Sequence, residues 1–222
     1  MFELNPLGTE RTVAATNLLI ALVGLFAAGC FYRLRIRDPW KATVWMVASL
    51  CLLAANLFAA AYHGLSLPGS VERSLWAVTE LSLVLLVACF AVAAARDLWS
   101  ERVSRIIAPA MAFVGILFFS ITLTDPSFWL YVVYEALFVG FALIGYGFLA
   151  FSRRMTGAFL AGMGLLVTLI AAVVQQTGVE VTMIWTFDHN GLFHLIQLLG
   201  VILLVRGILV SLEVQRSGAR RD

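Results

Sequence analysis

The feature that most limits what this chain can become is a series of seven apolar runs, each about 20 residues long. They fall at 12–33, 41–63, 74–95, 105–124, 129–151, 155–177 and 191–213. A run of that length crosses the hydrocarbon core of a bilayer only as a helix, because its backbone groups have no water to bond to. The shorter alternating segments that build a membrane barrel are absent from the sequence. Composition agrees: 62% of residues are hydrophobic and 13% charged, where a soluble domain carries about 25% charged residues. The expected fold is an all-α membrane protein, a seven-transmembrane helix bundle forming a single domain over residues 1–222. Short links make it up-and-down, with no separate soluble domain.

Charge sets the expected orientation. Arg33, Arg35, Arg37 and Lys41 surround the first link, Arg96, Arg102 and Arg105 the third, and Arg153 and Arg154 the fifth, while Arg216, Arg220 and Arg221 form the tail. Only Arg11 and Arg73 fall on the opposite side. Basic residues collect in the cytosol, so the N-terminus is expected outside and the C-terminus inside. The expected location is an integral membrane position, in a bacterial inner membrane. The opening segment "MFELNPLGTER" has no basic n-region, so no cleavable signal peptide is expected. Cys30, Cys51 and Cys89 all lie in apolar runs and read as buried small hydrophobes. Nothing suggests nucleic-acid binding.

With that orientation, strongly polar residues concentrate in the outer halves of the runs. His63 closes the second. Glu80 and Glu135 each lie six residues into a run, roughly 9 Å deep at the helical rise. Asn17 sits at a similar depth, and Asn56 lies two turns below His63 on the same helix face. Gln175 and Gln176 end the sixth run, and His189, His194 and Gln197 begin the seventh. Ionisable groups within a bilayer cost several kcal/mol unless paired, hydrated or metal-bound. The expectation is a shared polar cavity open toward the outside. Trp76, Trp129 and Trp185 read as interface anchors.

Three imidazoles with an open fourth position are the ligand set of a catalytic zinc, whose bound water becomes a nucleophile near neutral pH. A carboxylate could hold that water, with Glu80 the first candidate and Glu135 the second. The spacing of His189 and His194 is awkward, since five residues on a regular helix separate side chains by about 140°. An N-cap at Asn190 would free His189 from the helix, and a π-bulge would absorb the extra residue; the turn-like "DHNG" favours the cap. Other roles stay open. An interfacial histidine serves equally as a surface residue, and both glutamates serve equally in bonding neighbouring helices. Asn17, Asn56 and Gln197 also suit helix–helix contacts. Asp188 suits either a helix cap or a bond to a ligand imidazole.

A histidine at the end of the second run, an acid in the third and a histidine pair opening the seventh resemble the CREST superfamily. Its members include alkaline ceramidases and the progestin and adipoQ receptors. The segment "HNGLFHLIQLLG" is similar to a bacterial branch of it. The resemblance covers the whole chain in span order, and its motifs are short. It implies a zinc-binding seven-helix bundle that hydrolyses lipid amides such as ceramide. It implies His63, His189 and His194 as zinc ligands and places Glu80, seventeen residues after His63, where the family has an aspartate. Three departures stand out. Ala59 occupies the place of the family's serine, the histidine pair is spaced by five rather than four, and glutamate replaces aspartate. Asn56, one turn deeper, is a candidate substitute donor.

The expected function is a zinc-dependent intramembrane hydrolase of a lipid amide or ester, with Glu80 moving a proton. Asn56, Glu135, Asp188 and Gln197 would bind substrate or support the ligands. The alternative is a non-enzymatic receptor or sensor for a membrane lipid, with a structural zinc. At most one haem could be held, since histidines occur at only one level. Retinal is excluded because Lys41, the only lysine, lies at the wrong end of its helix.

Overall fold

The computed structural model describes residues 3–124, 128–182 and 184–218. Arg220 and Arg221 of the basic tail lie outside them. Among the described residues, seven helices are long and apolar enough to cross a membrane. They are α1 (Gly8–Leu34), α2 (Pro39–Gly64), α3 (Gly69–Leu98), α4 (Glu101–Thr122), α5 (Phe128–Phe151), α6 (Ala158–Gln175) and α7 (His189–Gly218). Four two-residue strands accompany them: β1 (Glu3–Leu4), β2 (Leu65–Ser66), β3 (Val181–Thr182) and β4 (Thr186–Phe187).

Local chemistry sets the helix ends. The Asp38 carboxylate accepts from Lys41 N at 2.9 Å, with Pro39 at the first helical position, and so starts α2. Ser100 caps α4 by accepting from Val103 N at 3.3 Å. After α5 the chain turns through Arg153 at φ 55°, and Arg154 N donates back to Leu149 O at 3.0 Å. That left-handed stop, followed by Gly157 at φ 84°, delays α6 to Ala158, three residues later than the hydropathy run.

The helices close into a ring in the order α1, α2, α3, α5, α6, α7 and back to α1. Helix α4 stands outside the ring and packs chiefly on α3. Its buried positions, Ser104, Met111, Gly115 and Thr122, form one narrow stripe, as expected for a helix packed mainly on one neighbour. Helices α6 and α7 approach backbone to backbone. A Cβ at Gly164 would lie 2.5 Å from Gly200 O, and one at Gly207 would lie 2.5 Å from Ala161 N. Small residues at such crossings replace the hydrophobic effect, which is unavailable between helices in lipid. The three cysteines are half-buried and free, rather than buried as expected.

The two ends of the bundle differ. At one end β1 pairs antiparallel with β2 (Glu3 opposite Ser66) and β3 with β4 (Val181 opposite Phe187). Thr12 Oγ1 donates to Thr186 O at 2.9 Å, tying the second pair to α1. At the other end lies a buried ion network. Lys41 Nζ is 2.8 Å from Asp97 Oδ1, and both side chains are almost fully buried. Arg96 bonds Asp38 and also reaches Asp97, while the Tyr146 hydroxyl donates to Asp97 at 3.1 Å. Lys41 and Arg96, which the sequence suggests only as orientation signals, therefore also hold α2, α3 and α5 together.

Candidate functional site

At the end that carries the strand pairs, a cavity of about 310 Å³ opens between the helices. Asn17 of α1, His63 of α2, Thr79 of α3, Glu135 of α5, Gln175 of α6 and His194 of α7 all line it. Every helix of the ring therefore contributes a polar side chain. On α2, His63, Ala59 and Asn56 share one face and line the same wall.

The two imidazoles are held differently. His63 Nδ1 lies 2.6 Å from Glu10 Oε2. The carboxylate only accepts, so Nδ1 carries the proton and Nε2 is left for the cavity. His194 is buried, and its Nδ1 meets two partners, Thr16 Oγ1 at 3.3 Å and Asn17 Nδ2 at 3.4 Å. The Thr16 hydroxyl proton is already given to Val13 O at 2.9 Å. Thr16 therefore meets Nδ1 as an acceptor, and Asn17 meets it as a donor. Each tautomer of His194 has a partner ready.

The carboxylates divide. Glu135 is buried and lines the cavity, and also a smaller adjoining pocket of about 40 Å³ that Gln197 shares. Glu80 does not line the cavity. It accepts from Trp76 Nε1 at 3.0 Å and from Thr122 Oγ1 at 3.3 Å, facing α4. Trp76, Thr79 and Leu83 give α3 its cavity face, and Glu80, at the edge of that face, turns instead toward Thr122 of α4.

His189 is half-buried and is likewise not among the lining residues. Asp188 caps α7 where Asn190 was expected to: its Oδ1 accepts from Gly191 N at 2.8 Å and its carbonyl from Leu192 N at 2.9 Å. His189 is then the first helical residue, and the five-residue spacing to His194 applies in full. The Asp188 carboxylate serves as the cap rather than as a support for an imidazole. Asn190 instead accepts from Gln175 Nε2 at 3.1 Å, joining α6 to α7 at the rim.

The residues fit a metal only in part. His63 and His194 line one cavity, and each has a ring nitrogen engaged by a neighbour, the support that metal-binding imidazoles use. A third ligand does not join them, and no group of three His, Cys, Asp or Glu that could hold a metal occurs among the described residues. The three-imidazole zinc set is therefore not assembled in this arrangement. Thr16 and Glu10 are the contacts of the two imidazoles that sequence reasoning did not assign. Asn17 was legible by its depth, whereas Glu10 and Thr16 pair with histidines 53 and 178 residues away and leave no local signal.

A family model described as a family of unknown function (DUF6962) matches residues 12–212. No curated protein matches the chain.

Proposed function

We propose, for a chain that belongs to this family of unknown function, an integral membrane hydrolase that acts on an amide or ester bond of a membrane lipid. The cavity end of the bundle would face the extracytoplasmic side, the orientation that the basic links favour. The observation that carries the reading is the Glu10–His63 pair, set in the same cavity as His194. A carboxylate on one ring nitrogen orients an imidazole and fixes its tautomer, leaving the other nitrogen to take a proton, which is the arrangement of a general base.

In this reading His63 Nε2 takes a proton from a water as its oxygen attacks the lipid carbonyl. His194, in the tautomer that Asn17 favours, presents Nε2–H to the carbonyl oxygen as a neutral donor. The amides of Asn56 and Gln197 line the same cavity and supply further donors. Collapse of the tetrahedral intermediate breaks the bond to the amine or alcohol. The His63 imidazolium returns its proton to that leaving group, giving a fatty acid and an amine or alcohol. Glu135 accepts a hydrogen bond from the lipid head. No step passes through a metal, because the third ligand of the zinc reading is not in place.

The test is turnover of a panel of ceramides, N-acyl amines and acyl esters by the purified chain in detergent. His63→Gln is expected to lose roughly 10²–10⁴ of the rate. A folded wild-type protein that turns over none of them, yet binds one, would favour the second reading, a lipid receptor built on the same cavity.

A further inference from the structure

A second and larger hollow, about 630 Å³, runs along the outside of the ring where α1 meets α7 and β4. Its floor on α1 is Gly8, Arg11, Thr12, Ala15, Thr16 and Leu19. Those spacings of three and one put all six on a single helix face. The small residues make the surface concave. Trp185, Phe187 and Leu195 form the other wall.

The lining is apolar except at one end. The single Thr12 hydroxyl proton has the carbonyls of Thr9 and Thr186 to share it, and the Thr16 hydroxyl donates to Val13, so neither is free to donate to a guest. Among the described lining residues the one charged side chain is Arg11. It is exposed and makes no ion pair with any described residue. Arg11 lies in the first turn of α1, and Leu19 is about 12 Å further along the helix. Trp185 is also exposed, and its neighbour Thr186 is bonded to Thr12, the residue next to Arg11. A cation and an indole at the level of the membrane surface, above an apolar trough that descends into the hydrocarbon, match the two parts of a phospholipid. The exposed face of α4 has comparable apolar side chains, Phe113, Ile116 and Leu117, but its cations, Arg102 and Arg105, lie in its first turns, at the opposite end of the bundle from Arg11, and Arg105 is paired with Glu101.

We infer that this hollow is a binding site for an anionic phospholipid, with the phosphate on Arg11 and one acyl chain between α1 and α7. The site is separate from the polar cavity and does not depend on hydrolysis occurring there. Thr16 is common to both: it lines the trough and touches His194 Nδ1.

The test is photocrosslinking of the delipidated full chain in dodecylmaltoside with phosphatidylglycerol that carries a diazirine in its acyl chain. Adducts are expected to concentrate in residues 8–19 and 185–195. Arg11→Gln should weaken phosphatidylglycerol capture about tenfold and leave capture of diacylglycerol with the same chains unchanged. Ala15→Trp, which fills the trough, should remove both adducts. Leu195→Trp does the same from the other wall if the first variant loses its helical circular dichroism. Adducts spread as densely over α4, an unchanged response to Arg11→Gln, or equal competition by glycerol phosphate without acyl chains would each overturn the assignment.

Discussion

Glu10 Oε2 lies 2.6 Å from His63 Nδ1, joining the first turn of α1 to the last turn of α2 at the mouth of the polar cavity. The pair makes the first prediction specific. Glu10→Gln keeps the shape but removes the carboxylate that accepts from His63 Nδ1 and fixes its tautomer. The rate of lipid hydrolysis should fall about 10–100-fold with KM little changed. Steady-state kinetics beside His63→Gln check this, and a fall in binding alone would assign the pair a structural role.

Glu135 and Glu80 should separate cleanly. Glu135→Gln removes a carboxylate from the cavity and should lower kcat/KM about tenfold. Glu80→Gln disturbs only the contacts with Trp76 and Thr122. It should cost about 1 kcal/mol of stability and leave turnover nearly intact. The reverse ranking would restore Glu80 as the acid of the site.

Metal content decides between the two arrangements of the histidines. With His189 outside the cavity, His189→Ala should leave the zinc content of the purified chain as it was. About one zinc per chain, lost in His189→Ala as in His63→Ala, would show that the third imidazole turns inward when metal binds. Atomic absorption on the three proteins is sufficient.

The opposite end offers a stability test free of the site. Asp97 is the partner of buried Lys41, so Asp97→Ala leaves an unpaired buried charge and should cost about 3–5 kcal/mol. The double change Lys41→Met with Asp97→Leu should recover most of it, measured by unfolding in detergent.

Close packing of α6 on α7 gives a second handle on the fold. Gly164→Leu forces a side chain where a single Cβ already meets Gly200 O and Leu204 N at 2.5 Å. The expected loss is about 3 kcal/mol, the upper end for overpacking. Gly140, whose Cβ would meet nothing within 4 Å, is the control.

The seven helices were legible because a bilayer leaves the backbone no alternative once seven runs of that length are present. The wall formed by His63, Ala59 and Asn56 was equally legible, since spacings of three and four on one helix need no knowledge of its neighbours. The direction of Glu80 was not. It follows from α4 standing outside the ring, and no residue near Glu80 encodes that placement. The position of His189 turned on one hydrogen bond: a cap at Asp188 rather than Asn190 moves the helix start and sends the imidazole elsewhere. The four short strands were also unread, because two-residue pairings rest on contacts between distant segments.

The ring has one further consequence, and it concerns time rather than geometry. The cavity takes Asn17 from the first helix and His194 from the last, and the two are in contact. As a chain emerges from synthesis, six helices can be inserted while the site is still missing a wall. Only the docking of α7 against α1 brings the histidine beside its asparagine. The polar cavity is thus completed only at the final step of assembly, and a chain that stalls earlier has its helices but not the site.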